Sequence, residues 1–425
     1  MTEKLYEIRS EFKSFNGDGC GNNGTQMAVY YPLEKTERTK IAVLAMHQSN
    51  YMGFSPMVEM AKRGFIAAGI GLKNRSRKVR DANPKYWLEE CSVCIDYLKS
   101  IPGVEKVVLM AHSQGGCMLS AYQYIAENGT DRFRNDGRTI PFPEVEKLTP
   151  ADGLMLLDGN YGIMDVMALD PAVRTLDNGY SRIPELDLYN PDNGYDPART
   201  NQTYPEEFAV RFQRAQVAYY KELLAMAKER YEKIKAGRGQ FLDDEIIFIP
   251  GAGGGSSNNK LFCQDSRWLG RTAKPRKLLH ADGTITEEVV YTNRTTGHST
   301  PSDLMNGGQL ASVKYLLQTE LRFDDDWGYD ECFIHGMDEK FNYLSTRENV
   351  KGIHVPLLCE GNQASHEFVN MEITYENAVS ADKDYIALAG SRHDFTPVSP
   401  EFGDVLSAVS DYFAAWLAKP GRFID

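Results

Sequence analysis

Between residues 40 and 159, short continuous apolar runs alternate with amphipathic helical patterns, and no hairpin signal interrupts them. The runs KIAVLAMH (40–47), FIAAGIG (65–71), VEKVVLMAH (104–112) and GLMLLDG (153–159) are short and lack polar alternation, the mark of strands buried on both faces. Helical spacing fills the gaps in SPMVEMAKRG (55–64), PKYWLEECSVCIDYLKSI (84–101) and CMLSAYQYIAENG (117–129). In the first of these Ser55 is a candidate N-cap, Pro56 takes the first helical position and Gly64 is the stop. This alternation predicts an α/β fold with a doubly wound, mostly parallel sheet, whose ligand sites lie at the carboxyl ends of the strands.

The third run leads directly into Ala-His-Ser-Gln-Gly-Gly (111–116), and a helix follows. A turn this tight between strand and helix admits only small residues beside the serine. Ala111 and Gly115 take those places, and Gly116 leaves room for the helix to pack on the sheet. Ser113 is therefore the candidate nucleophile. Gln114, at the helix N-terminus, offers its N–H to a developing oxyanion. A second donor is expected from the turn after the first run, from the N–H of Gln48 or Ser49. His47, Tyr161 and His366 follow strand ends and are candidate substrate contacts, as is Phe395.

A nucleophilic serine needs a base and a carboxylate to orient it. His393, in LAGSRHDFTP after the last apolar run (383–390), is the candidate base. The carboxylate has two candidate places. One is Asp158, at the end of LMLLD. The other is the end of HVPLLCEG (354–361), where Glu360 stands on the strand and Glu367 lies a little beyond. The residues that directly follow Gly361 (Asn362 to Ser365) are not acidic, which tilts the choice slightly toward Asp158 over Glu360.

Composition limits the partners. The 425-residue chain carries a formal net charge of −12, which disfavours nucleic acid and anionic membrane surfaces. No run approaches the ~18 apolar residues of a membrane span, and MTEKLYEIRSEFKSF has no apolar leader core, so a cytoplasmic location is expected. Seven cysteines, an odd number, suit a reducing compartment, and Cys91 and Cys94 fit two helix positions near the core better than a metal or redox pair. GAGGGSSNN (251–259) reads as a flexible turn or linker and lacks the Lys-Ser/Thr of a phosphate loop. Asn74, Arg75, Arg77, Lys78 and Arg80 form a charge run at the same sheet edge, read as a solvated or cap-facing face in preference to a carboxylate site. No metal and no cofactor is expected, and the partner is a small-molecule substrate.

The strand–helix pattern breaks near residue 161 and resumes near 350. Residues 1–160 and 351–425 are assigned to the sheet domain, and 161–350 to a large, mainly helical cap over the strand ends. Within the cap, 205–236 has a helical stripe of Phe208, Phe212, Ala215, Tyr219, Leu223 and Met226. Residues 302–321 also look helical. An Asp-Gly turn predicts a β-hairpin over 277–292, which could serve as an arm in a homo-oligomer.

AHSQGG after a buried strand, His393 after the last strand and the strand–helix run between them resemble the α/β-hydrolase fold superfamily. LDGNYGIMDVMALDPAV and DKDYIALAGSRHDFTP resemble an esterase-like branch of it with a large insertion. The departures are Ala111 for the first glycine of the elbow, Gln48 for the glycine after His47 and the lack of an acid beyond Gly361. The resemblance implies an eight-stranded sheet, a Ser/acid/His triad and no cofactor. The expected activity is hydrolysis of an ester or lactone of a small apolar or aromatic substrate through an acyl-enzyme on Ser113. The alternatives are amide or C–C hydrolysis or acyl transfer on the same residues, and a non-catalytic ligand-binding protein.

Overall fold

The computed structural model describes residues 3–15, 25–71, 83–134, 136–162, 164–176, 180–241, 243–251, 260–295 and 308–424. The charge run at 74–80 and nearly all of the glycine-rich stretch at 251–259 lie outside them.

The apolar runs form strands as their composition requires. Strands β1 (Ile8–Phe15) and β2 (Thr25–Pro32) enter as an antiparallel pair, followed by β3 (Ile41–Ala45), helix α1 (Ser55–Lys62) and β4 (Ile66–Gly71). Helix α2 (Pro84–Ser100), β5 (Lys106–His112), α3 (Gln114–Asn128) and β6 (Gly153–Leu157) continue the alternation. Helix α1 starts at Ser55 itself, with Phe54 in the cap position and no side-chain cap, so Ser55 does not play the capping role its position suggested. Asn83 does cap α2, accepting from the Lys85 N–H.

Next come α4 (Met164–Met167), β7 (Val173–Leu176), β8 (Tyr180–Arg182), α5 (Glu206–Lys235), β9 (Ile246–Pro250), α6 (Lys260–Gln264), β10 (Arg276–Leu279), β11 (Ile285–Glu288), β12 (Gly308–Ser312), α7 (Val313–Gln318), β13 (Phe323–Tyr329), β14 (Ile334–Met337) and α8 (Thr346–Asn349). The chain closes with β15 (Leu357–Asn362), α9 (Phe368–Asn377), β16 (Lys383–Leu388) and α10 (Val405–Leu417).

The main sheet has ten strands in the order β1-β2-β4-β3-β5-β6-β15-β16-β10-β11, two more than the resemblance implied. The run from β4 to β10 is parallel throughout. Alternate side chains of each central strand enter different cores. Leu44, Leu109, Leu156 and Cys359 pack with α2 and α3, whereas Val43, Met110, Met155 and Leu358 pack with α1 and α10. Helices therefore cover both faces. On α10, Val409, Phe413 and Leu417 are fully buried, each worth about 1.5–3 kcal/mol over the exposed state.

The inserted region differs from the sequence expectation in three respects. The hairpin of β10 and β11 is not a free arm: β10 pairs in parallel with β16 and extends the sheet. Of the segment expected as one helix over 302–321, residues 302–307 lie outside the described residues and the rest is split, because Gly308–Ser312 pairs antiparallel with β9 and the Ser312 side chain then caps α7. Beside the 30-residue α5, the insertion holds three two-stranded sheets, so it is mixed rather than mainly helical. On α5 the expected stripe is buried at Phe208, Phe212, Tyr219 and Leu223 but not at Met226, and the buried face is wider than the stripe: Gln213 and Gln216 are also buried and donate to the carbonyls of Tyr329, Met167 and Leu169. Among the described residues, no helix is long and apolar enough to cross a membrane. Cys91 and Cys94 are buried on α2, with no disulfide between them.

The turn after β3 lies directly on β4, where a Cβ on Gly69 would meet the Tyr51 carbonyl oxygen at 2.1 Å. Gly69→Ala is expected to cost about 1–3 kcal/mol, read as a lower urea midpoint at unchanged slope. Gly53→Ala, where nothing lies within 4 Å, is expected to stay within about 0.5 kcal/mol of wild type in the same experiment.

Candidate active site

Ser113 follows the last residue of β5 and precedes the first residue of α3, with φ 56° and ψ −130°. Such backbone costs on the order of 1–3 kcal/mol for a non-glycine residue and persists only where its surroundings enforce it. The Ser113 N–H donates to the Leu157 carbonyl at 3.3 Å, and its carbonyl accepts from Gly116 at 2.9 Å and Asn160 at 3.0 Å. The turn also needs the small residues after it. A Cβ on Gly115 would stand 2.3 Å from the Met46 carbonyl oxygen, and one on Gly116 would stand 3.0 Å from the Gly159 Cα. Among the described residues, the Ser113 hydroxyl has no hydrogen-bond partner.

Asp158 follows β6, also at positive φ (42°), and is fully buried. Its Oδ2 lies 2.6 Å from His393 Nδ1, and its Oδ1 accepts from the Asn362 N–H at 3.1 Å. His393 and Asp158 are thus in contact although 235 residues separate them. Glu360 is not part of this group. Strand alternation puts it on the same side of β15 as Leu358, and both of its oxygens are buried without a hydrogen-bond partner among the described residues. Burial, with the Asp158 charge added, raises its pKa far above the carboxylate range, so it stands as a neutral acid.

A different glutamate reaches the histidine. Glu367, at the N-terminal end of α9 and fully buried, places Oε2 3.4 Å from His393 Nδ1 and Oε1 3.6 Å from His366 Nε2. Burial alone would pull the His393 pKa down. The Glu367 charge and the hydrogen bond to Asp158 outweigh it and push the imidazole up to about 9.

His112, next to the serine, also acts on this loop. Its Nε2 lies 2.8 Å from the His393 carbonyl oxygen, so Nε2 carries the proton. Nδ1 then accepts from the Tyr51 hydroxyl at 2.7 Å. Burial, followed by the charge of His393, keeps His112 far below the usual imidazole range. His112, Asp158 and His393 bring potential metal-ligating atoms within 4.8 Å of one another. Asp158 Oδ2 and His393 Nδ1 are bonded to each other, and the His112 ring nitrogens are engaged by the His393 carbonyl and the Tyr51 hydroxyl.

The turn after β3 is arranged differently from expectation. The Ser49 N–H donates to His47 Nδ1 at 2.9 Å, so it is occupied within its own turn. The Gln48 N–H makes no hydrogen bond among the described residues and is the donor this turn leaves over. Gln114 opens α3, where no intrahelical carbonyl reaches its N–H. Burial, then the His393 charge, depresses His47 to about 3. With Nδ1 accepting, the proton of the neutral ring is on Nε2, which is buried without a partner.

His393 and His366 line a cavity of about 280 Å³ together with Cys263, Arg294, Ala364 and Ser365. Tyr161 stands behind this wall, fully buried and edge-on to Phe262 at 6.2 Å. Phe395 is buried beneath the His393 loop against His112 and Phe54 and does not line the cavity. Sequence reasoning missed His112, Tyr51 and Arg294, and named Glu367 only as a nearby candidate carboxylate behind Asp158 and Glu360. His112 alone had a local signal, its place inside the serine motif.

No protein-family model and no curated protein matches the chain in sequence. Similar solved structures include a hypothetical protein from Pseudomonas aeruginosa (12% identity, 96% of this chain and 93% of that one, TM-score 0.45). A soluble variant of monoglyceride lipase from Saccharomyces cerevisiae has 11% identity over 99% of this chain and 98% of that one, at TM-score 0.43. A thermostable carboxyl esterase from Bacillus coagulans has 11% identity over 98% and 99%, at TM-score 0.41. The fold is read from the chain itself: parallel strands between two helical layers, a strained serine turn at their carboxyl edge, and Ser, Asp and His in that chain order. This chain has the α/β-hydrolase fold.

Proposed function

We propose that the protein is a serine hydrolase acting on an ester or lactone of a small apolar or aromatic molecule. The observation that carries this reading is the 2.6 Å bond between His393 Nδ1 and Asp158 Oδ2, at the sheet edge that also holds the strained Ser113 turn. Asp158 holds Nδ1 and leaves Nε2 as the base. Nε2 takes the Ser113 proton as Oγ attacks the carbonyl carbon. The tetrahedral oxyanion is met by the N–H groups of Gln114 and Gln48. Collapse expels the alcohol, which takes the proton back from His393 and leaves the acyl group on Ser113. Water, deprotonated by His393, then attacks the acyl-enzyme, and the acid departs as Ser113 regains its proton.

A fluorophosphonate probe is expected to label the wild type and to leave Ser113→Ala unlabelled; equal labelling of the two would sink the nucleophile assignment. In p-nitrophenyl ester hydrolysis, Asp158→Asn should lower kcat by about 10³–10⁴, because the asparagine favours the wrong imidazole tautomer. Glu360→Gln replaces a neutral acid with a neutral isostere and should change kcat by less than about tenfold.

With His393 pushed up to about 9, the free enzyme holds an imidazolium at neutral pH. The base form therefore accumulates as pH rises, and kcat/KM should climb with a midpoint near that value. Glu367→Gln removes a charge that favours the imidazolium, so the midpoint should move to lower pH and the rate at pH 7 should rise. A midpoint that does not move in Glu367→Gln contradicts this electrostatic assignment.

A further inference from the structure

Four arginines among the described residues are buried, and three of them pair with carboxylates: Arg63 with Glu59 and Asp411, Arg138 with Asp136, and Arg347 with Glu339. Arg294 is the exception. Only its Nη2 is used, toward the carbonyls of Trp268 (3.0 Å) and Asp265 (3.4 Å). Its Nε and Nη1 are buried with no acceptor, and no carboxylate among the described residues forms an ion pair with it. The Asp265 side chain is already held by Arg267 and by the Tyr204 N–H. A buried cation without a counter-charge is unfavourable unless something that binds there supplies one.

Its surroundings reach the proposed catalytic histidine. The guanidinium lies 5.2 Å from the Phe262 ring centroid, Phe262 is 6.3 Å from the His366 ring, and His366 is 5.7 Å from the His393 ring. Arg294, His366 and His393 line the same cavity of about 280 Å³. The other side chains around Phe262 also hold polar atoms that lack a partner. Tyr161 Oη and His366 Nε2 are both buried and unbonded. Of the acids close by, Glu367 faces His366 and His393, while Asp394 and the cation Arg392 line the same cavity wall.

We propose that Arg294 is a specificity residue that binds a carboxylate on the substrate, so that the ester cleaved carries a free acid group beyond its acyl or alcohol chain. This rests on the serine hydrolase reading and narrows its substrate to an anion with a short apolar body. The body would lie against Ala364 and Val398 in the cavity wall, and the acid would supply the charge that no described carboxylate gives Arg294 as an ion pair.

The test compares two esters that differ only in that charge, mono-p-nitrophenyl glutarate and its methyl-capped diester. Wild type should favour the free acid in kcat/KM, mainly through KM. In Arg294→Met the ratio between the two esters should fall by about thirtyfold or more, with part of the preference retained in Arg294→Lys. Equal use of both esters by wild type, or an unchanged ratio in Arg294→Met, overturns the proposal. A second measurement needs no variant: glutarate should slow fluorophosphonate labelling of wild-type Ser113, and glutaramide should not. Equal effects of the two also overturn it. These failures differ from failure of the hydrolase reading, in which neither ester is cleaved and the probe does not label.

Discussion

The first turn of α3 is wedged between two strand exits, and the site is built on that contact. Gly115 lies against the backbone after β3, and Gly116 lies against the backbone after β6, with no room for a Cβ at Gly115 and very little at Gly116. One steric constraint therefore sets three positions at once. It lifts Ser113 into a left-handed turn, brings the Gln48 turn beside it and holds Asn160, just past Asp158, by a hydrogen bond to the Ser113 carbonyl. Because the parallel strands end at one edge, residues far apart in sequence meet there with no further device.

Electrostatics then separates the carboxylates that share this edge. Asp158 has a histidine nitrogen and a backbone N–H as partners and can bear its charge. Glu360, on the neighbouring strand, has no partner and sits near the Asp158 charge, so the cheaper state is the neutral acid. Glu367 contributes through space, and its effect falls on the imidazole. The His112 ring works on the backbone of the same loop. Tyr51 holds it in the tautomer that can donate to the His393 carbonyl. Any rotation of His112 would break both bonds, so the loop carrying His393 is tied to the residue beside Ser113.

The sheet was legible because its signal is local. Strands buried on both faces must be apolar throughout, and the helices between them must show one apolar side. Ser113, His393 and Asp158 were legible for a related reason, since strand ends are where such a sheet presents its chemistry. What failed was pairing between distant segments. The 276–288 hairpin carries the same turn signal whether it stands free or joins β16. The residues 308–312 become strand because β9 is available beside them, a fact their own pattern does not record. The same holds for Glu367 and Arg294, whose importance comes from what lies opposite them in space.

The two parts of the chain thus differ in what they contribute. The Ser113, Asp158 and His393 set comes entirely from segments 1–160 and 351–425, where the buried Asp158 charge is met by His393 and by the Asn362 N–H. Cys263 and Arg294 line the cavity from the inserted region, and Arg294 Nε and Nη1 are buried there with no hydrogen-bond partner among the described residues. A protein can bury an arginine cheaply by placing a carboxylate against it, as this chain does three times. The fourth has no carboxylate ion pair among the described residues and stands in a cavity wall shared with His393, so its desolvated charge is a cost that the fold carries. The same arrangement gives a bound anion the full benefit of a desolvated guanidinium, which no neutral ligand can collect. Placing that cation in the insertion lets the choice of ligand change without disturbing the strand ends that hold Ser113, Asp158 and His393.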